Sequence, residues 1–592
     1  MSIRKKLSRP ASGLHRAVLL VAALTAAACA PSEGPRPAGA AGPVSAAIPA
    51  ASARPAAAFP NHDAERVFAY GFSAITGRYI NDVSAGDLAL EGLRGLGGID
   101  PALIADTTAD GRVELRATGG VVASRPAPAT DDARAWARAV ADMVADARRV
   151  SPPLAAADSE AVYQAVFDSA LSSLDMFSRY AGAEEARDHR ANRNGFGGIG
   201  IRYVRDDAGL EVRDVFDEAP SSGLLFVGDV ITAVNGIDLG GLETTQVKKM
   251  LRGPIDSTLT LTVSRPGIAQ PVRVPIRRDL VVPRTVTLAT EGDSAIIRIS
   301  SFNQRTAESV QKAVAQARAE LGPNLRGLVL DLRGNPGGLL DQAVEVSDLF
   351  IDDGPILSTR GRHPESRQYY NARHGDIAAG LPMVVLVDGR SASSAEIVSA
   401  ALQDQGRAVV VGTTSYGKGT VQTVVRLPND GEMTLTWSRF HSPSGYALHG
   451  LGVMPSLCTA YGNIGDGSDA VALADASAAL MAEEGETDAS EGGFINATHT
   501  DAASDGNELG RSVEQLLRAQ ADVDAMVPTQ YAQWRSTPLE DTEGRRKLRT
   551  NCPPKSHAGN EVDLALGERL VREPALYRWA LGLTADHVTA RR

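Results

Sequence analysis

Three polar side chains, Ser393, Lys418 and Gln422, stand in one strand, helix, strand and loop unit over 391–422 (SASSAEIVSAALQDQGRAVVVGTTSYGKGTVQ), a nucleophile, a base and an amide that could serve a serine hydrolase with a lysine base. A serine hydroxyl attacks a carbonyl only when a neighbouring group takes its proton. A free lysine amine has a pKa near ~10.4, so it serves at neutral pH only if burial and uncharged donors favour its neutral form by about 4 kcal/mol. Gly417 and Gly419 flank Lys418 and let the backbone pack closely around its stem. Gln422 can hydrogen-bond the amine without adding charge, whereas an acidic neighbour would stabilise the ammonium.

The elements that must hold these groups are legible in the apolar pattern. Residues 381–387 (LPMVVLV) and 408–412 (AVVVG) read as buried strands, and a helix lies between them. Ser393 and Ser394 fall where its N-cap belongs, Glu396 sits in the first turn, and Gln405-Gly406 closes it. Backbone N–H groups at a helix start lack intrahelical partners, so an oxyanion forming beside Ser393 would meet donors. Lys418 lies in the loop 413–419, and Gln422 opens the strand 421–427. Upstream, the strand 325–332 (LRGLVLDL) runs into Arg333-Gly334-Asn335-Pro336-Gly337-Gly338 and a helix over 339–349. Neither phosphate-loop nor dinucleotide spacing is present in that turn.

These stretches resemble the carboxy-terminal processing (tail-specific) serine peptidases. The family's G-S-A-S-A-S-E-I element corresponds to Gly389–Ile397, and its F/Y-G-K-G-x-V-Q element to Tyr416–Gln422. The resemblance implies that Ser393 is the nucleophile, Lys418 the general base and Gln422 its positioner. It further implies that the D-L-R-x-N-x-G-G turn supplies an oxyanion donor at the Gly337 N–H, beside that of Ser394. Arg390 replaces the usual glycine, and Ser394-Ala395 inverts the usual Ala-Ser. Leu174–Tyr180 resembles the family's L-D-P-H-S-x-Y element but lacks its Pro-His pair.

The segment Asn194–Val204 (NGFGGIGIRYV), the element Gly228–Gly236 (GDVITAVNG), a short helix over 244–251 and strands over 258–263 and 272–276 resemble a PDZ module. Such modules bind chain ends as an added strand and hold the terminal carboxylate on a glycine loop. Gly197, Gly198, Ile199 and Gly200 are the candidates for that loop, and the resemblance makes proteins or peptides with exposed C-terminal tails the substrates.

The chain of 592 residues exceeds one ordinary domain. The expected fold is α/β and multidomain, with a crotonase/ClpP-like β-β-α peptidase core, an inserted PDZ domain and helical N- and C-terminal regions. Residues 1–29 read as a signal peptide, with a basic start and an apolar run too short to span a bilayer. Cys29 fits a lipoprotein box, and Ala28-Cys29-Ala30 also fits an A-x-A cleavage site. An exported, periplasmic protein follows, with membrane attachment through an N-terminal lipid. Residues 30–60 form an Ala/Pro-rich linker, 61–190 a mainly helical region with a hairpin over 112–124, and 191–282 the PDZ domain. The peptidase core spans 283–458, an acidic linker 459–510, and helical periodicity returns over 511–592. The N- and C-terminal helical regions could support a homodimer or higher oligomer. Cys458 and Cys552 are candidates for one disulfide in an oxidising compartment.

A net charge of −11 argues against nucleic-acid partners. No cofactor is implied, and none of the ten histidines has metal-site spacing. His441 and His449 leave a Ser-His enzyme open at the level of sequence. Two rival readings are a catalytically silent PDZ scaffold and an acyl-transfer enzyme on a crotonase-like core.

Overall fold

The computed structural model describes residues 59–206, 208–216, 218–373, 375–460, 506–521, 524–556 and 560–585. The expected signal peptide, Cys29 and nearly all of the Ala/Pro-rich linker lie outside these residues, as do positions 461–505 of the acidic linker.

The sheet that carries the site has six strands in the order Val286–Glu291, Ser294–Ile299, Gly327–Asp331, Met383–Val387, Val409–Gly412 and Leu457–Cys458. The first pair is antiparallel and the remaining four pairings are parallel. Three of these strands, GLVLD, MVVLV and VVVG, are buried at every position, the pattern of a parallel sheet covered on both faces. The helices Thr306–Leu321, Leu340–Asp348 and Ser394–Asp404 pack on it, as do the C-terminal helices. Functional loops in such sheets emerge at the carboxyl ends of the strands. Here the turn 332–338, the segment 388–393 and the loop 413–419 all leave that edge.

A second sheet orders Gln368–Asn371, Pro355–Arg360, Glu432–His441 and Thr420–Arg426, with Arg179–Ala181 also paired to Glu432–His441. Its long strand joins two cores. Val425, Leu427, Met433 and Leu435 pack among the N-terminal helices, with Phe68, Phe72 and Phe167. The N-terminal region holds the helices Asn61–Arg78, Ala85–Gly95, Ala133–Ala147, Pro152–Ala156 and Ser159–Ser172, and the hairpin gains a third strand, Ile104–Thr107.

Residues 199–276 have a core of their own, including Leu210, Ile231, Val247 and Leu261. Its sheet runs in the order Val272–Arg277, Thr258–Ser264, Val230–Val234, Gly209–Val215, Ile201–Asp206, with the helix Thr244–Leu251 packed against it. Asp188 of the helix Ala183–Asn194 bonds Lys248 at 2.9 Å and Arg252 at 2.8 Å, while Arg190 and Arg193 of the same helix hold Glu432. One helix thus ties this small module to the second sheet.

The C-terminal helices Val527–Ser536, Thr542–Arg549 and Glu561–Arg572 complete the core around the six-stranded sheet, because Tyr531, Trp534, Leu566 and Leu570 are wholly buried in it. Helical periodicity alone does not reveal that sharing.

Candidate active site

Ser393 lies between the strand Met383–Val387 and the helix Ser394–Asp404 with φ 53° and ψ −113°, a conformation that costs a non-glycine residue about 1–3 kcal/mol. The cost is sustained by Glu396, three residues on, whose Oε2 accepts the Ser393 N–H at 2.8 Å. The same oxygen accepts the Lys418 N–H at 2.9 Å. Its Oε1 accepts the Gly417 N–H at 2.6 Å and the Ser415 hydroxyl at 2.5 Å. One fully buried carboxylate therefore gathers the backbones of Ser393 and Lys418. Burial pushes the Glu396 carboxyl up, while the hydrogen bonds from Ser415, Gly417 and Ser393 pull it back. In the sequence Glu396 reads as an ordinary first-turn acid. The signal for its role was its place three residues after the candidate nucleophile.

The loop carrying Lys418 is pressed from both sides. A Cβ on Gly419 would lie 2.0 Å from the His449 backbone nitrogen, and one on Gly417 would lie 2.6 Å from Arg549 Nη1. Close packing around the lysine is thus met at both flanking glycines. The Lys418 Nζ atom stands 5.2 Å from the centroid of Phe177, which also meets the His449 ring edge-on. Phe177 occupies the position of the histidine missing from the Leu174–Tyr180 element, so an apolar ring screens the amine there. Gln422 lies on the strand Thr420–Arg426, and its Nε2 donates to Thr420 Oγ1 at 2.9 Å.

The glycine turn is fastened to the nucleophile. Ala392 N–H donates to Asn335 O at 2.9 Å, and the Ser394 hydroxyl donates to Gly338 O at 3.0 Å. A Cβ on Gly337 would stand 2.8 Å from that of Ser393, so only glycine, at φ +105°, fits there. The Gly337 N–H, the expected oxyanion donor, donates to Asn335 Oδ1 at 2.8 Å, closing an Asx-type turn. Among the described residues no hydrogen bond joins His441 or His449 to Ser393. The His449 ring packs on Phe177, and the Nδ1 atoms of both rings are buried without a partner.

The glycine-loop candidates of the small module are placed differently from the expectation. Gly197 and Gly198 belong to a short strand, Phe196–Gly198, paired with Asp279–Val281, so they are not in an open loop. Ile199 and Gly200 make the turn into Ile201–Asp206, and their carbonyls accept from Ser221 N–H and Phe216 N–H.

A strap that sequence reasoning missed crosses the same edge of the sheet. Arg549 donates to Tyr416 O at 2.8 Å and to Ser415 O at 3.0 Å. Thr414 Oγ1 donates to Cys552 O, and Gly389 N–H to Lys555 O. Arg333 pairs with Asp331 and reaches Asn560 O at 2.6 Å. Cys458 and Cys552 form a disulfide with Cα atoms 5.9 Å apart, closing a sequence separation of 94 residues. Opening a loop of that size raises chain entropy in the unfolded state, so Cys552→Ser should cost about 2–4 kcal/mol. Urea unfolding of the oxidised protein and the variant reads the difference, and equal midpoints would rule out a stabilising bridge.

Residues 293–458 match peptidase family S41. Over 304 residues the chain is 37% identical to the "Carboxy-terminal-processing protease" of Bartonella bacilliformis, covering 51% of this chain and 70% of that protein. Over 305 residues it is 31% identical to a Staphylococcus aureus protein named "Probable CtpA-like serine protease", covering 51% of this chain and 60% of that one. Among solved structures, a photosystem II D1 C-terminal processing protease is 23% identical, with a TM-score of 0.33, covering 66% of this chain and 91% of that one. Because the Bartonella protein exceeds 30% identity across more than two-thirds of its length, the chain belongs to peptidase family S41, the carboxy-terminal-processing serine peptidases.

Proposed function

We propose that the protein is an exported Ser-Lys endopeptidase that cleaves proteins at or near their C-terminal tails. Ser393 attacks the peptide carbonyl and passes its proton to Lys418, with Gln422 orienting the amine. The acyl-enzyme so formed is hydrolysed by water. The observation that carries this reading is the Glu396 carboxylate, which binds the Ser393 and Lys418 backbones through one oxygen. The Ser394 N–H is the first oxyanion donor. Gly337 joins it only if Asn335 releases its N–H. The peptidase core over 283–458 is read as crotonase/ClpP-like, from its parallel strands and the helices between them.

Residues 191–282 are read as the inserted PDZ module, supported by a sheet and one helix around a separate core. A chain end would add as a strand beside Ile201–Asp206, next to the helix Thr244–Leu251. Export to the periplasm, with lipid attachment through Cys29, rests on the sequence of residues 1–29. Assembly into a homodimer or higher oligomer belongs to the same reading.

Incubation with an unfolded substrate bearing an apolar C-terminal tail tests the reading. Cleavage by the protein and none by Ser393→Ala is expected, and no cleavage by either would leave the silent scaffold. Excision of 196–283 tests the tail selection. A Cβ on Gly195 would lie 2.7 Å from Val281 O, so the flanking chain ends are adjacent. The excised protein should still cleave a short peptide but lose at least about tenfold in preference for a free over an amidated tail, the scale of one charge-assisted contact. Unchanged preference would remove this module from substrate choice.

A further inference from the structure

On the second sheet Arg360 pairs directly with Arg439, and Ser358 with His441. Side chains directly opposite in an antiparallel pair stand on one face, their Cβ atoms roughly 5 Å apart, and like charges there repel. Arg439 and His441 share that face, whereas Ser438 and Phe440 are buried on the other, each at 1% exposure. No ion pair to Arg360 or Arg439 is present among the described residues. Arg439 Nε is buried without a hydrogen-bond partner, and so are Trp437 Nε1, His441 Nδ1 and His449 Nδ1. Buried polar atoms are nearly always paired, so the obligate donors Arg439 Nε and Trp437 Nε1, orphaned beside two facing guanidinium groups, mark a site short of acceptors. Asp175, the carboxylate that acts on His449, is committed to Phe177 N–H, Ser178 N–H, Ser178 Oγ and Thr436 Oγ1. Burial, with Arg360 and Arg439 beside it, lowers His441 to about 4, so its ring adds no charge at neutral pH.

The row begins at the candidate active site. Arg439 lies directly across from Thr420, which is two residues beyond Lys418 and holds the Gln422 amide. The Phe177 ring links Lys418 to His449 on the same side. A carboxylate set between Arg360 and Arg439 would supply acceptors to both and turn a repulsive pair into two charge-assisted contacts.

We propose that Arg360 and Arg439, with His441 beside them, form a subsite for a carboxylate of the peptide substrate, so that the cleft favours chains presenting an acidic side chain or a terminal carboxylate near the scissile bond. The inference rests on the Ser393–Lys418 reading for what the cleft does, but its test needs no turnover.

Full-length Ser393→Ala protein is titrated, by fluorescence anisotropy, with labelled peptides of one sequence. One set is amidated at the C-terminus and carries a single Glu moved through the chain, a second has Gln throughout and a free C-terminus, and a third has Gln and an amidated end. At one Glu position, affinity should exceed that of the neutral peptide by about tenfold or more, and the ratio should fall toward one in Arg439→Gln and in Arg360→Gln. Arg360 is exposed, so its variant keeps the test valid should Arg439→Gln fold poorly. A ratio that collapses only for the free-C-terminus peptide assigns the subsite to a terminal carboxylate. If no carboxylate preference depends on either arginine, the subsite does not exist. Wild-type protein that binds these peptides without cleaving them would instead overturn the catalytic reading and leave the binding ratios interpretable.

Discussion

Alanine at Ser393 should lower kcat/KM for an unfolded, tail-bearing substrate by at least about 10⁴-fold, the usual scale for loss of a serine nucleophile. Alanine at Ser394 should leave turnover within a few-fold of the unsubstituted protein. The two serines are adjacent and both stand at a helix start, yet the structure gives them different work. Ser393 occupies the strained position, φ 53°, over the edge where the strands end. Ser394 is 1% exposed, and its hydroxyl is spent on Gly338 O. Its loss removes one neutral hydrogen bond, about 1 kcal/mol, and leaves its backbone N–H in place. Thermal melts accompany the rate measurements, and labelling with a fluorophosphonate followed by peptide mapping identifies the modified serine. Label on Ser394, or activity surviving in Ser393→Ala, would overturn the assignment.

Glutamine at Glu396 should lower activity, by less than Ser393→Ala does, and unlike that variant should also cost stability. The carboxylate accepts from three backbone N–H groups and one hydroxyl, two donors to each oxygen. Glutamine retains one acceptor oxygen and places an NH₂ group against the other two donors. Leaving two buried donors unsatisfied costs about 2–6 kcal/mol, at about 1–3 each. The Ser393 backbone would then lose the contact that sustains its conformation, and the Lys418 loop would lose its link to the nucleophile helix. A fall in kcat of at least about 100-fold is expected together with a lower urea midpoint. Glu396→Asp should not restore activity, because a side chain one methylene shorter cannot span Ser393 N–H and Gly417 N–H together. Full activity in Glu396→Gln would show that the carboxylate does not position the site.

Much of the site was legible before the fold because its chemistry is carried by short-range spacing. Ser393, Lys418 and Gln422 fall on one strand, helix, strand and loop unit, and valine-rich runs such as MVVLV and VVVG mark strands that only a doubly covered sheet can bury. The turn at Gly337, from strand into helix, was equally readable. The direction of its N–H was not, since that depends on which way the Asn335 side chain turns. The glycines of the small module misled for a related reason. A glycine run reads as a loop, but pairing with Asp279–Val281 made two of them strand.

By itself, then, the sequence determined which residues could do the chemistry, the strands that end beside them and the family they resemble. Only the tertiary structure decided what holds those residues in place. Glu396 becomes a hub because a loop about twenty residues away folds onto it, and Arg549 reaches the Lys418 loop from a helix more than a hundred residues downstream. Arg360 and Arg439 become a pair only through strand register, and Cys458 finds Cys552 across the sheet edge. Local propensity acts over a few residues, whereas a buried charge is satisfied by whichever distant group the packed chain brings to it, and that choice exists only once the chain has closed on itself.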